Sequence, residues 1–275
     1  WVGKATRDAN PALQYIGTEV WPTAPTNPWF VDKYVMYHAL IAPLQPYGIR
    51  GVLWYQGEGN TYQGDPNGGP NVSHYRDLLT GLIEGWRRDW NQGNFPFFLV
   101  QLPKYGATKV AWDSWERVRE AQLQVSQSVP NTGLAISIDT GSADPHPLDK
   151  QPIGERLARL ARAKVHGEAI VPTGPMYAGG SADSNGVNLL FANAGSGLQS
   201  TGGALRTFEV AGTNGVFSTA TATITGTNTV RLTSLAVPRI VSVRYGWDWS
   251  PDVNLRSEEH TSELQSQFRI SYAVF

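Results

Sequence analysis

Two short segments of this 275-residue chain carry side chains that could do chemistry. The first, Gln56-Gly-Glu-Gly-Asn60, follows the apolar run Gly51–Trp54 and places two amides and a carboxylate where a buried strand must turn. The second, Asp144-Pro-His146, follows the apolar run Leu134–Asp139. Because ligands in open α/β sheets bind outside the carboxyl ends of the strands, both segments are candidate site loops.

His146 is the best candidate for a general base. It lies between Pro145 and Pro147, which restrict the backbone and remove competing N–H donors, so the imidazole can be aimed. Asp144 is the nearest carboxylate and the preferred orienting group, and Asp139 is the alternative acid. A surface histidine in a proline loop, with aspartates that only cap turns, explains the same residues equally well.

The first segment offers neutral donors. Gln56 and Asn60 could support an oxyanion without adding a charge, and Gly57 lets the backbone approach a substrate closely. Glu58 could bond neighbouring loops or act as a general base. A polar strand end followed by a turn is the competing interpretation of this segment.

Acyl transfer by such a set also needs a nucleophile. The chain contains neither Gly-Asp-Ser nor Gly-x-Ser-x-Gly, so we identify no serine nucleophile in it. Cysteine is absent, which excludes disulfides, thiolate metal sites and a cysteine nucleophile.

Composition excludes several classes of partner. The formal net charge is -1 and basic residues are scattered, so we expect neither nucleic-acid binding nor attraction to an anionic membrane. No apolar run approaches the ~20 residues of a membrane span. Abundant Trp, Tyr, Gly and Asn with only 16% charged residues are typical of secreted proteins that bind sugars by stacking and neutral hydrogen bonds.

Local patterns divide the chain into four parts. Residues 1–30 are proline-rich and are expected to form an irregular lead-in. Residues 31–168 alternate helical and strand patterns, which predicts a parallel sheet with helices on its faces. Residues 169–255 are rich in Gly, Thr, Ser and Asn and predict a small antiparallel β module. Residues 256–275 resemble translated cloning sequence, so we expect a non-native tail without function.

Periodicity predicts the elements within these parts. Helices are expected over residues 31–44, 73–90, 112–128 and 152–166. Strands are expected over residues 49–54, 95–102 and 134–139, and then over 187–191, 205–210, 220–225, 229–233 and 240–245.

The two chemical segments together resemble a known family. Trp54-Tyr-Gln-Gly-Glu-Gly-Asn60 resembles the Trp-Tyr-Gln-Gly-Glu-Ser-Asn block of the sialate O-acetylesterase-like family, carbohydrate esterases of the SGNH hydrolase superfamily. Asp144–Ala158 resembles the histidine block of that family. Further similar blocks occur in the same order, so the resemblance extends from about Pro25 to Leu255. They are Tyr75–Trp90, Phe95–Leu102, Arg119–Gln122 and Val243–Trp247.

The resemblance implies a flavodoxin-like three-layer α/β/α hydrolase followed by a small antiparallel β module. It implies removal of O-acetyl groups from sugars through a serine acyl-enzyme, without a metal or cofactor, in a periplasmic or secreted protein. His146 would be the general base, Asp144 its partner and Gln56 the oxyanion donor in place of the usual asparagine. Gly57, Glu58 and Asn60 would bind the oxyanion or the substrate together with Gln56.

Three departures qualify this expectation. The family's upstream Gly-Gln-Ser-Asn block does not occur, Gly59 stands where the family has serine, and the superfamily spacing would put the acid at Ala143. We therefore expect an incomplete hydrolase domain without its first strand and nucleophile block, inactive and poorly soluble by itself. A non-catalytic sugar-binding module and an acetylxylan esterase remain as alternatives, and the oligomeric state is open.

Overall fold

The computed structural model describes residues 1–14, 34–61, 72–106, 114–257 and 268–271. Most of the proline-rich lead-in, the glycine-rich loop after Asn60 and most of the tail lie outside the described residues. The chain forms two compact units, which divide it differently from the boundary at residue 168 expected from composition. Unit 1 comprises Trp1–Leu99 and Lys109–Gly133, and unit 2 comprises Val100–Thr108 and Leu134–Phe275.

Three long helices occur where periodicity predicted them. The α-helices within the described residues are α1 (Lys4–Ala9), α2 (Tyr75–Trp90), α3 (Trp115–Ser128) and α4 (Gln151–Lys164). The helix α2 buries an apolar stripe and ends at Asn91, whose left-handed φ of 52° turns its N–H back to the carbonyls of Arg87 and Arg88. None of the described helices is both long and apolar enough to cross a bilayer.

The helix expected over residues 31–44 has a different local form. Its described part contains a π-helical turn at Tyr37–Ile41 and a 3-10 turn at Ala42–Leu44. Pro43 explains the change, since it supplies no N–H and ends regular α-helical hydrogen bonding.

A parallel sheet forms the centre of the α/β part. Its strands are β1 (Val52–Trp54), β2 (Phe97–Val100) and β3 (Thr132–Ala135), in the order β1-β2-β3. The first two are parallel, with Val52 opposite Phe97. Every residue of β2 and β3 is buried, so both faces of these strands are covered, whereas Leu53 of β1 is 63% exposed. The predicted α/β class with a parallel sheet is confirmed; the three-layer arrangement and the missing first strand stay predictions.

The carboxyl-terminal part is antiparallel, as its composition predicted. The strands are β4 (Met176–Asp183), β5 (Gly186–Ala192), β6 (Leu198–Ser200), β7 (Phe208–Ala211), β8 (Phe217–Thr219), β9 (Thr221–Gly226), β10 (Thr229–Thr233), β11 (Ser242–Tyr245), β12 (Leu255–Ser257) and β13 (Phe268–Ser271). They form two four-stranded sheets, with the orders β4-β5-β10-β9 and β13-β11-β7-β8, and one two-stranded sheet of β12 and β6. The five predicted runs correspond to β5, β7, β9, β10 and β11.

The start of the expected tail is part of this fold. Arg256 and Ser257 pair with Gln199 and Leu198 of β6, and Ser257 is fully buried. The preceding Leu255 N–H donates to the buried Tyr245 hydroxyl at 3.1 Å, which attaches β12 to the end of β11. The backbone of β13 likewise pairs with β11. The non-native origin of residues 256–275 stays a prediction.

The lead-in also forms structure where an irregular chain was expected. The helix α1 and the 3-10 turn Pro11–Leu13 pack on α2, with Thr6 and Leu13 buried. Gly81 and Gly85 of α2 make this approach possible, because a Cβ at either position would overlap the side chain of Leu13 or Thr6. Proline density correctly disfavoured a long helix here, but it did not exclude one short helix stabilised by packing.

This close packing predicts opposite effects for two glycine substitutions in helices. Gly85→Ala should lower the free energy of unfolding, because overpacking against Thr6 costs about 1–3 kcal/mol while helix propensity returns only about 1 kcal/mol. The matched control is Gly154→Ala in α4, where no atom lies within 4 Å of an added Cβ, and it should stabilise by about 0.5–1 kcal/mol. Urea denaturation of both variants checks this, and equal stability would contradict the packing.

Candidate active site

The backbone at the end of β1 is fixed by buried donors. The backbone carbonyl of Gln56 accepts hydrogen bonds from the Tyr75 hydroxyl at 2.9 Å and from Gln122 Nε2 at 3.0 Å. Gln122 is fully buried in α3 and Tyr75 is buried at the start of α2. Burial raises the pKa of Tyr75, so its hydroxyl remains a neutral donor. Two helices of unit 1 therefore determine where the strand ends.

Gly57 allows the chain to turn directly after this point. Its φ of 154° is unfavourable for residues with a side chain, and a Cβ there would lie 2.8 Å from Val118 and 3.2 Å from the Tyr75 hydroxyl. The glycine is therefore required by both its conformation and its neighbours. The backbone then enters a 3-10 turn, Glu58–Asn60, whose last residue donates its N–H to the Gly57 carbonyl at 2.9 Å.

The side chains of residues 56–60 form hydrogen bonds within this turn. Gln56 Nε2 donates to Asn60 Oδ1 at 2.8 Å, and Glu58 accepts the Gly57 N–H at 2.9 Å. A primary amide has two N–H donors, so the Gln56 amide keeps a second N–H for a substrate after bonding Asn60. Glu58 is used locally as a backbone acceptor, which favours a structural role for it over that of a general base.

A small cavity opens beside these amides. It has a volume of about 170 Å³, and its lining combines the polar residues Gln56 and Asn60 with apolar residues that include Trp54, Leu79 and Leu82. A pocket with a few placed polar groups on an apolar wall is the usual form of a small-ligand site. Unit 1 therefore places two neutral amide side chains at a cavity, and the oxyanion role of Gln56 stays a prediction.

Asp144 and His146 form a pair in unit 2. One carboxylate oxygen of Asp144, Oδ1, accepts the His146 backbone N–H at 2.7 Å and lies 3.2 Å from the imidazole Nδ1. A carboxylate accepts hydrogen bonds, so this contact favours the tautomer with its proton on Nδ1 and its lone pair on Nε2. The side chains are 80% and 65% exposed for His146 and Asp144, so Nε2 is accessible to a substrate.

Asp139 has a different role from the one considered as an alternative. Both of its carboxylate oxygens bind the guanidinium of Arg156 at 2.7 Å, and Arg156 also donates to the Ile136 carbonyl at 2.6 Å. Only 15% of the Asp139 side chain and 5% of the Arg156 side chain are exposed. This buried bidentate pair joins the segment after β3 to α4, whereas Asp144 is the carboxylate that contacts His146.

The structure thus brings the expected residues together in two sets. Gln56, Gly57, Glu58 and Asn60 belong to unit 1, and Asp144 and His146 belong to unit 2. That both sets act on one substrate stays a prediction. Within the parts of the chain that the structure describes, no three His, Asp or Glu side chains are grouped as metal ligands.

Sequence reasoning missed the two residues that hold Gln56. Tyr75 and Gln122 each belonged to a family-like block, and neither had an assigned role. The available signal was a glutamine on the buried side of an amphipathic helix, since a buried amide needs a hydrogen-bond partner.

Comparison with known proteins identifies the family of this chain. Residues 23–163 match the family model of carbohydrate esterases described as sialic acid-specific acetylesterases. This range covers half of the chain and contains both Gln56 and the Asp144–His146 pair.

The chain belongs to this carbohydrate esterase family.

The chain covers only part of the length of the relatives that it matches. The human sialate O-acetylesterase is 33% identical over 151 residues, which are 49% of this chain and 28% of that protein. The mouse sialate O-acetylesterase is 34% identical over 156 residues, with 49% and 27% covered. A solved carbohydrate acetylesterase from Xanthomonas citri has a TM-score of 0.76 and 37% identity, covering 84% of this chain and 52% of that one. The chain therefore spans about a quarter of these curated relatives and half of the solved structure.

Two substitutions distinguish the buried aspartate from the exposed one. Asp139→Asn removes the partner of the buried Arg156 and should lower the free energy of unfolding by about 3–5 kcal/mol. Asp144→Asn changes an exposed side chain and should alter stability by no more than about 0.5 kcal/mol. Urea unfolding measures both, and equal effects would contradict the separate roles.

A second pair of substitutions tests the support of Gln56. Gln122→Met removes a buried donor from the Gln56 carbonyl and should destabilise the protein by about 1–3 kcal/mol. Gln124→Met, on the exposed side of the same helix, should change stability by no more than about 0.5 kcal/mol. If thermal or urea unfolding shows no difference between these variants, the Gln122 contact does not stabilise the strand end.

Proposed function

We propose that this chain carries the general base, its orienting carboxylate and an oxyanion donor of a carbohydrate O-acetylesterase. The observation that supports this most is the hydrogen bond of His146 Nδ1 to Asp144 within the segment that matches the esterase family. A histidine oriented in this way presents an accessible Nε2, which is the atom that a hydrolase uses to accept and return a proton.

In the proposed reaction, a serine hydroxyl attacks the carbonyl carbon of the acetyl ester and His146 Nε2 takes the hydroxyl proton. The bond from that carbon to the sugar oxygen then breaks, and His146 returns the proton to the departing sugar hydroxyl. Water attacks the acetyl-serine by the same route, releasing acetate and restoring the serine. Asp144 keeps the imidazole in one tautomer and stabilises its charged form.

Gln56 has the role of an oxyanion donor in this proposal. Its remaining amide N–H can donate to the negative oxygen that develops on the acetyl group. Asn60 Oδ1 accepts the other amide N–H, and Tyr75 and Gln122 hold the backbone carbonyl of Gln56. Preorganised donors of this kind stabilise a transition state because they need no reorientation during the reaction.

The nucleophile is the component that these 275 residues do not supply, since the serine-containing blocks of the family and superfamily are absent from the sequence. The pure chain should therefore release p-nitrophenol from p-nitrophenyl acetate no faster than buffer. A rate typical of esterases, retained after repurification, would contradict the assignment of the nucleophile outside these residues.

Protein expressed from the complete reading frame containing these residues tests the rest of the proposal. It should release acetate from O-acetylated N-acetylneuraminic acid, and His146→Ala or Asp144→Asn should each lower the rate by about 10⁴-fold. Gln56→Ala should lower it by about 10²- to 10³-fold. His166→Ala, which removes an exposed histidine just beyond α4, is the matched control and should leave the rate unchanged.

The outcomes separate the competing functions. Acetate release that survives His146→Ala would refute the proposed mechanism. A folded protein that binds the sugar and releases no acetate would favour the non-catalytic binding module. Preference for acetylated xylan over acetylated sialic acid would move the substrate to the acetylxylan class while keeping the mechanism.

A further inference from the structure

An aromatic pair lies next to the loop that carries Asp144 and His146. The ring of Tyr105 stacks on that of Trp249, with 5.9 Å between centroids and 12° between planes. The Tyr105 N–H donates to the Trp249 carbonyl at 2.9 Å, so backbone and ring contacts fix the same orientation. Trp249 is only 3% exposed, whereas Tyr105 is half-buried, so Tyr105 is the more accessible member of the pair.

The backbone beside Tyr105 holds the histidine loop. Tyr105 and Ser142 form a parallel β-bridge, in which the Gly106 N–H donates to the Ser142 carbonyl at 2.9 Å. Gly141 allows this approach, because a Cβ at that position would overlap the Lys104 carbonyl. The two segments are therefore in direct backbone contact within unit 2.

Side-chain direction follows from this pairing. Residues opposite one another in a β-bridge direct their side chains to the same face, so Tyr105 and Ser142 share a face. The Ser142 hydroxyl accepts the Asp144 N–H at 3.1 Å, and Asp144 in turn accepts from His146. The backbone at Tyr105 is thus linked through Ser142 to Asp144 and His146.

We propose that Tyr105, held flat by Trp249, is the stacking platform of a sugar subsite beside His146. This inference rests on the proposed carbohydrate esterase function and names how the sugar ring is bound. A pyranose presents a face of C–H groups, which packs on the flat face of an aromatic ring, while its hydroxyls remain in water. A ring already ordered by a buried partner binds such a face without losing side-chain freedom.

Binding of unacetylated sugars by the pure chain tests the platform without turnover. The probes are the methyl α-glycoside of N-acetylneuraminic acid and methyl β-D-xylopyranoside, titrated by saturation-transfer difference NMR. At least one should bind saturably, and Tyr105→Ala and Tyr105→Leu should weaken it by roughly tenfold, because both remove the aromatic face. Tyr105→Phe, which keeps that face, should change the Kd by less than about twofold.

Two comparisons exclude a merely structural effect. Tyr105→Leu keeps apolar contact with Trp249, so its melting temperature should stay near that of the wild type while binding is lost. Tyr47→Ala removes a tyrosine that is 71% exposed in unit 1 and should not change binding. If Tyr105→Ala does not fold, the leucine and phenylalanine variants decide the question.

The results that overturn the platform are distinct from those that overturn the proposed function. Absence of saturable binding of either glycoside, equal affinity of the Leu and Phe variants, or equal loss in Tyr47→Ala would overturn the platform. Tyr105-dependent binding in a protein whose complete form releases no acetate would overturn the esterase proposal and leave the platform standing. Which glycoside binds more tightly identifies the sugar class.

Discussion

The carbonyl oxygen of Gln56 is the point on which the first unit depends. It lies two residues after β1, accepts hydrogen bonds from buried side chains of α2 and α3, and is followed by a glycine whose missing Cβ leaves room for those same side chains. These two hydrogen bonds hold the backbone in one position directly after the strand. Because these hydrogen bonds fix the backbone at Gln56, they also fix where the turn with the Gln56 and Asn60 amides begins.

The second unit positions its candidate residues in another way. The Asp144–His146 pair is exposed, and an exposed pair contributes only about 0–1 kcal/mol, so it does not order its own loop. Order comes from the bridge of Tyr105 to Ser142 and from the close approach at Gly141. The His146 side chain is therefore both exposed to solvent and carried by a loop that backbone contacts order.

Burial distinguishes Asp139 from Asp144 in this protein. Both carboxylate oxygens of Asp139 bind Arg156, because a buried guanidinium needs a charged partner. Arg256 lies near this pair, and burial lowers its pKa, with the nearby Asp139 raising it and Arg156 lowering it further. Arg256 therefore adds a third charged side chain near the Asp139–Arg156 pair.

Elements with strong periodicity were predictable. The stripes of α2, α3 and α4 and the alternating β5 and β10 carry enough apolar residues to specify their own class. The strand β4 was missed because Gly179, Gly180 and mostly exposed small residues give it little β propensity; its pairing with β5 creates it, with an irregularity at Gly179. The helix α1 was missed for the same reason, since packing against Gly81 and Gly85 stabilises it.

The amino-acid sequence by itself determined the α/β class, the antiparallel module and the identity of the candidate residues, because periodicity and short motifs are local properties. The tertiary structure alone decided which aspartate accompanies His146, which helices hold Gln56, and that Tyr105 lies beside the histidine loop. Those contacts join residues far apart in the chain. Burial and hydrogen-bond partners are set by the whole fold, so no local pattern contains them.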